Sequence, residues 1–320
     1  MLNSTTNGII IYPMESKFFT AVKIADDAVN APNTWQIRGV AHENAYLLEG
    51  TSHALLIDTL TGAGNLRSFC RDLTDKPIHA ALTHGHVDHA GGCFDFGECF
   101  IHPEDIRMMH EGTTVKCRKE FIAHFGGPSL ADSDFTLPAP LWTFPVYDGS
   151  VFDLGGRRVR TIGVPGHTRG SLVFIDSNTR IAFLGDAVNT NTLLYLNDST
   201  GIPEYKAGLL HFKEQMGKDP AYPVETFWSG HGSKPLPLCI VDEALILCDK
   251  ILAGTDDAEK VDGKAPQPVY YARRRDTCTE FSANIGYYKE WIQKAPVPLQ
   301  PPLIPLTHPQ GNPYGVRRLF

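Results

Sequence analysis

Residues 84–89 read His84-Gly85-His86-Val87-Asp88-His89, which places four side chains able to bind a metal within six positions. Three imidazoles and a carboxylate this close together suit a tight loop that directs ligands two ways at once, and such a loop can serve two metal ions. Its flanks agree: 78–83 reads as a strand, and Gly91-Gly92 permits a sharp change of backbone direction. Three later points each add one ligand: His167 after Val164-Pro165-Gly166, Asp186 after Leu184-Gly185, and His231 after Ser229-Gly230. Each stands just past an apolar stretch and beside glycine. In an α/β sandwich, strand ends along one edge converge on one crevice, so these residues are expected to meet. Imidazoles and carboxylates with no thiolate among them suit Zn²⁺, and also Fe or Mn.

The elements that must position these ligands are partly legible. Apolar runs at 44–49 and 54–58, separated by Gly50-Thr51-Ser52-His53, predict an antiparallel hairpin that ends at Asp58. Leu66, Phe69, Cys70 and Leu73 fall at the i, i+3, i+4, i+7 spacing of a helix with one buried face. A strand at 99–101 leads into His102-Pro103-Glu104-Asp105, where the proline favours a helix start. Residues 107–140 read as a helical insertion, carrying Met108, Met109, Phe121 and Phe125, that is expected to overhang a pocket. Strands are expected again at 150–153, 159–163, 172–176 and 181–185, with turns at Gly155-Gly156 and Ser177-Asn178-Thr179. After an irregular stretch at 189–203 come a helix at 205–216, a last short strand at 226–229 and a helix at 239–253. From 265 the chain is proline-rich and is expected to wrap over the body in extended conformation. The domain organisation read from this pattern is a catalytic unit over 1–254, with insertions at about 107–140 and 189–217, and a C-terminal extension over 255–320 that packs on it.

Composition narrows the class. The 320 residues are 42 % hydrophobic and 20 % charged, which is ordinary for a globular protein with a full core. A formal net charge of −7 gives no general attraction to phosphate backbones or anionic membranes, so neither nucleic acid nor membrane is an expected partner. No apolar run reaches the length of a membrane span, and Ile9-Ile10-Ile11 is too short for a signal peptide. The seven cysteines are scattered and form no Cys-x-x-Cys pair, as expected of reduced thiols in a cytoplasmic protein. A small-molecule substrate fits best, and the sequence does not specify an oligomeric state.

The loop at 83–92, Gly166-His167-Thr168-Arg169-Gly170-Ser171, Gly185-Asp186 and Gly230-His231 together resemble the ordered motifs of the metallo-β-lactamase superfamily, in its glyoxalase-II-like branch. The likeness spans about 40–235. It implies a four-layer αββα sandwich, with His84, His86 and His167 binding one metal, Asp88, His89 and His231 the other, and Asp186 bridging the two. Asp58 matches the family's early Asp and is expected to orient a ligand imidazole. Two Zn²⁺ would hold a bridging hydroxide for attack on a carbonyl, with Asp88 and Asp186 as the catalytic carboxylates.

Asp186 separates the chain from true β-lactamases, which carry Cys or Ser where the bridge would be. The expected activity is therefore hydrolysis of a small ester, thioester or lactone. After Gly185-Asp186 the chain continues Ala187-Val188-Asn189-Thr190-Asn191, without the Gly-Arg stretch of glutathione-thioester hydrolases. Related lactonases place a tyrosine three residues after the bridging Asp; here that residue is Asn189, which could donate a hydrogen bond to a carbonyl oxygen. The alternatives are a small-molecule phosphodiesterase and an iron-dependent oxidoreductase of the same superfamily. His102 and the run Arg273-Arg274-Arg275 read as structural or solvated.

Overall fold

Along the strand Asn44–Glu49, Leu47 and Leu48 are both fully buried, yet successive side chains in a strand point to opposite faces. Both faces of its sheet must therefore be covered. The same holds for Leu55 and Leu56 in the next strand and for Val173 and Phe174 in a later one. In the computed structural model, which describes residues 14–27, 31–261, 265–273, 282–295 and 317–318, these residues sort into separate cores.

Tyr46, Leu48, Leu55, Ile57, Phe100, Leu172, Phe174 and Phe183 pack together between two sheets. Leu47, Leu56, Ala80 and Cys99 face outward on the first sheet and meet Leu66, Phe69 and Cys70 of the helix Leu66–Arg71. Val173, Ile175 and Ala182 face outward on the second and meet Tyr205, Leu209 and Phe212 of the helix Ile202–Lys218, with Ala244, Leu247 and Cys248 of the helix Ile240–Ala253. The result is a four-layer αββα sandwich. Each fully buried Leu, Ile or Phe in it contributes roughly 1.5–3 kcal/mol by leaving water.

Among the described residues the first sheet has eight strands in chain order, from Met14–Glu15 to Trp142–Pro145. It begins as an antiparallel meander and becomes parallel from Ala54–Ile57 onward, through Ile78–Ala81, Glu98–Ile101 and Trp142–Pro145. The second holds, in spatial order, Thr226–Trp228, Ile181–Phe183, Leu172–Asp176, Arg158–Gly163, Ser150–Asp153 and Arg317–Arg318. Its members Ile181–Phe183 and Thr226–Trp228 run parallel. The hairpin at 44–57 and the helices expected at 66–73, 205–216 and 239–253 are present, the second of these longer at both ends.

Two features depart from expectation. The strands Thr20–Asp27 and Ala31–Arg38 precede the expected hairpin. The strand at 226–228 is not the last one, because Glu259–Val261, Val269–Arg273 and Asn284–Tyr287 form a further sheet with Thr192–Leu194, which lies inside the stretch read as irregular. Val269 is buried, while Ala272, Ile285 and Tyr287 join the core under the helix Ile240–Ala253. The 107–140 stretch holds the helices Ile106–Gly112 and Val115–His124. It is fastened by the fully buried Arg118, which donates to the carbonyls of Gly62, Gly91 and Thr136. Arg274, Arg275, His308 and the prolines from 296 onward lie outside the described residues. Among the described residues no helix is long and apolar enough to cross a membrane.

Candidate metal centre

Parallel strands end at the same edge of a sheet, and here that edge carries the ligands. The strand Ile78–Ala81 delivers Thr83 and His84, after which His86 stands in extended conformation and caps the short helix Val87–Ala90, bearing Asp88 and His89. In the second sheet Asp186 follows Ile181–Phe183, and His231 follows its parallel neighbour Thr226–Trp228. The Gly230 N–H donates to the Gly185 carbonyl at 2.7 Å and keeps these two loops together. His167 lies in the connection between Arg158–Gly163 and Leu172–Asp176. The two sheets are tied at this edge by the Leu172 N–H, which donates to the Thr83 carbonyl at 2.8 Å.

All seven sequence-derived ligands come together, in two groups. His84, His86 and His167 form one; Asp88, His89, Asp186 and His231 form the other, and within each group the potential ligand atoms lie within 4.8 Å of one another. Asp186 Oδ2 stands 3.3 Å from His231 Nε2, 3.7 Å from His89 Nε2 and 3.6 Å from His167 Nε2, so it reaches from its own group to the other. His86 and His231 are the partly exposed members.

The protonation states differ between the groups. Burial pushes His84 well below the ordinary histidine range, His86 down to about 3, and His167 downward as well, so these three imidazoles are neutral. In the other group burial opposes charge and is outweighed. Asp186 and Asp88 hold His231 up at about 10, Asp88, Asp58 and Asp186 hold His89 well above its ordinary range, and the imidazoliums hold both Asp88 and Asp186 well below theirs. One group thus presents neutral lone pairs and the other a cluster of compensated charges.

Divalent metals fit this donor set. The Nε2 atoms of His84 and His89 are buried without a hydrogen-bond partner, a costly state that a cation removes, at His84 by taking a free lone pair and at His89 by replacing the proton. Their other ring nitrogens are occupied. His89 Nδ1–H donates to Asp58 Oδ2 at 2.8 Å. The Thr83 hydroxyl donates to the same oxygen at 2.9 Å and so is free to accept from His84 Nδ1 at 3.0 Å. Asp58 therefore fixes one imidazole of each group, directly and through Thr83. His167 Nδ1 donates to the Leu193 carbonyl at 2.9 Å, which turns its Nε2 inward. The His231 loop is gripped by the first sheet: Gln36 and Asn44 donate to the Gly232 carbonyl at 3.1 and 2.7 Å, and Tyr46 to the Ser229 carbonyl at 2.5 Å.

Thr83, Leu193, Gln36, Asn44 and Tyr46 carry no mark in the sequence, since each acts through contacts that only the fold creates. Asn189 lies beside Asp186, its amide donating to Oδ1 at 3.4 Å while its own Oδ1 accepts from the Asn191 N–H at 2.7 Å. Tyr195 is turned to Tyr271, their hydroxyls 3.1 Å apart. His102 accepts from the Glu104 N–H at the helix start. These last two lie outside both groups.

The family model described as the metallo-beta-lactamase superfamily matches residues 38–224. The chain is 28 % identical over 171 residues to the acyl-coenzyme A thioesterase MBLAC2 of Homo sapiens, across 52 % of this chain and 61 % of that protein. It is 29 % identical over 149 residues to the atrochrysone carboxyl ACP thioesterase of Aspergillus fumigatus, across 45 % of this chain and 29 % of that one. Each match spans less than two thirds of the relative's own length. A solved metallo beta lactamase from Erythrobacter litoralis aligns at 16 % identity with a TM-score of 0.49, covering 75 % of this chain and 100 % of the other.

Proposed function

The chain belongs to the metallo-beta-lactamase superfamily, and from that premise we propose that it is a metal-dependent hydrolase of acyl thioesters. The observation that carries the proposal is the position of Asp186 Oδ2 between the two ligand groups. A carboxylate there, in place of a thiol or hydroxyl, fits a pair of ions that share it. In this proposal His84, His86 and His167 would hold one Zn²⁺ and Asp88, His89 and His231 the other, with Asp186 placed to serve both; Fe or Mn would suit the same donors. Such ions supply a water acidified to near neutrality and withdraw electron density from the substrate carbonyl.

The protein's own part is positioning and charge. Asp58 keeps His84 and His89 in the tautomers that turn Nε2 inward. Asp88, whose Oδ2 stands 3.2 Å from His231 Nε2, would orient the attacking water. Asn189 steadies Asp186, and its second amide hydrogen is assigned to the substrate carbonyl. The water gives one proton to solvent and its oxygen forms the new bond to the acyl carbon; the carbon–sulfur bond breaks with its electron pair on sulfur, and the thiolate takes up the proton of the new carboxylic acid, so that carboxylate and thiol are the products. A thiol of pKa about 8.5 leaves as thiolate without a general acid. Support for thioesters over other acyl substrates comes from the two relatives, both named as thioesterases.

The test is a substrate panel on zinc-loaded protein: acyl-coenzyme A and acyl-pantetheine thioesters, p-nitrophenyl esters, lactones and bis(p-nitrophenyl) phosphate. Thioester turnover that vanishes in a folded Asp186→Ala variant is the expected result. Inactivity on every thioester, or a preference for the phosphodiester, would sink the proposal.

A further inference from the structure

Asp105 is 2 % exposed and lies at the entry to the 107–140 insertion, just before the helix Ile106–Gly112. Its carboxylate is spent entirely on the two loops that carry the three-histidine group. Oδ2 accepts from the Gly85 N–H at 3.0 Å and from the Thr168 hydroxyl at 2.7 Å, while Oδ1 accepts from the Gly170 N–H at 2.9 Å. Gly85 is the residue between His84 and His86, and Thr168 follows His167. The approach is close on both sides: a Cβ on Gly85 or on Gly170 would stand within 2.6 Å of an Asp105 atom. Burying a carboxylate among dipoles alone is costly, and an apolar residue would pack the same space at less expense.

We infer that Asp105 is a positioning residue for the three-histidine half of the site, clamping the His84–His86 loop to the His167 loop from outside the ligand shell. Only an acceptor with two oxygens does this. The three donors come from opposite loops, and an amide in place of the carboxylate would set its own N–H against at least one of them, forcing the loops apart. The four-residue group is held by other means: Asp58 on His89, and Gln36, Asn44 and Tyr46 on the His231 loop. Asp105 also makes the insertion part of the site's framework, because Met108, on the helix that Asp105 precedes, brings its methyl group to 3.1 Å from where a Gly85 Cβ would lie. The inference rests on the two groups being metal sites and does not depend on the substrate.

The experiment measures Zn²⁺ affinity by chelator competition in two backgrounds that each retain one group. His231→Ala keeps the three-histidine group; His86→Ala keeps the other. Asp105→Asn is expected to weaken Zn²⁺ binding about 10–100-fold in the first background, the range for residues that orient metal ligands, and to leave it unchanged within about threefold in the second. Thr168→Val, which removes one of the three bonds, should produce a smaller loss in the first background only; it decides the matter if Asp105→Asn does not fold. Equal losses in both backgrounds, or no loss in the first, would overturn the inference. Wild-type protein that binds two Zn²⁺ but hydrolyses no thioester would defeat the proposed function and leave the role of Asp105 standing.

Discussion

Asp186 Oδ2 stands 3.6 Å from His167 Nε2, so a carboxylate of the four-residue group reaches an imidazole of the three-residue group. Under the proposed function this oxygen is shared between the two groups. Removing it should therefore affect the ion count as well as the rate. Asp186→Ala is expected to bind one Zn²⁺ in place of two, measured on desalted protein by elemental analysis, and to lose hydrolysis by about 100-fold or more. Retention of two tightly held ions would show that the carboxylate is not a bridge.

Metal affinity should depend on pH in the four-residue group and hardly at all in the other. His231 is held up at about 10 and His89 well above its ordinary range, so both carry protons at neutral pH that a metal must displace. The sign follows. As pH rises from about 6.5 toward 10 the metal-free protein loses the stability contributed by the His231 charge, while metal affinity climbs by up to tenfold per pH unit for each proton released. The three histidines of the other group are already neutral and have no proton to give up. Melting temperatures of metal-free and zinc-loaded protein should diverge steadily over this range; a constant or narrowing gap would contradict the assignment.

Asp58 serves both groups, so its substitution should not be selective. Asp58→Asn is expected to weaken Zn²⁺ about 10–100-fold at each, since an amide that keeps its oxygen on His89 and the Thr83 hydroxyl sets its own N–H against the Thr83 backbone N–H, which donates to the other Asp58 oxygen at 2.7 Å. Thr83→Val should weaken the His84 side alone. Chelator competition in the same single-group backgrounds checks both outcomes.

Gly230 leaves room for the four-residue group and nothing more. A Cβ there would lie 2.4 Å from His89 Cε1 and 2.6 Å from Asp186 Oδ1. Gly230→Ala is expected to displace both ligands, abolish binding of the second ion and lower stability by about 1–3 kcal/mol, as overpacking of a tight site does. Urea unfolding and zinc stoichiometry together would reveal it, and wild-type values for both would show that the loop relaxes freely.

The part of the site that was legible in the sequence is the part written locally. His84 to His89 carry their meaning in their own spacing, and His167, Asp186 and His231 each announce themselves by standing at an apolar strand end beside glycine. The helix from Leu66 was readable for the same reason, since its buried face repeats within a few residues. What holds the ligands in place was not legible, because it acts across the chain. Asn44 meets Gly232, and Asp105 meets Thr168 and Gly170, only after the sheets have stacked. The sheet at the C-terminal side was hidden similarly: Thr192–Leu194 is three residues long, has no alternation of its own and acquires its strand character by pairing with Asn284–Tyr287.

The most direct measurement follows thioester hydrolysis and zinc content in one titration of metal-free, folded protein. Activity should rise with added Zn²⁺, reach its plateau at two equivalents and be lost again on chelation. Full thioesterase activity in the metal-free protein, or a protein holding two Zn²⁺ that leaves every thioester intact, would contradict the central claim.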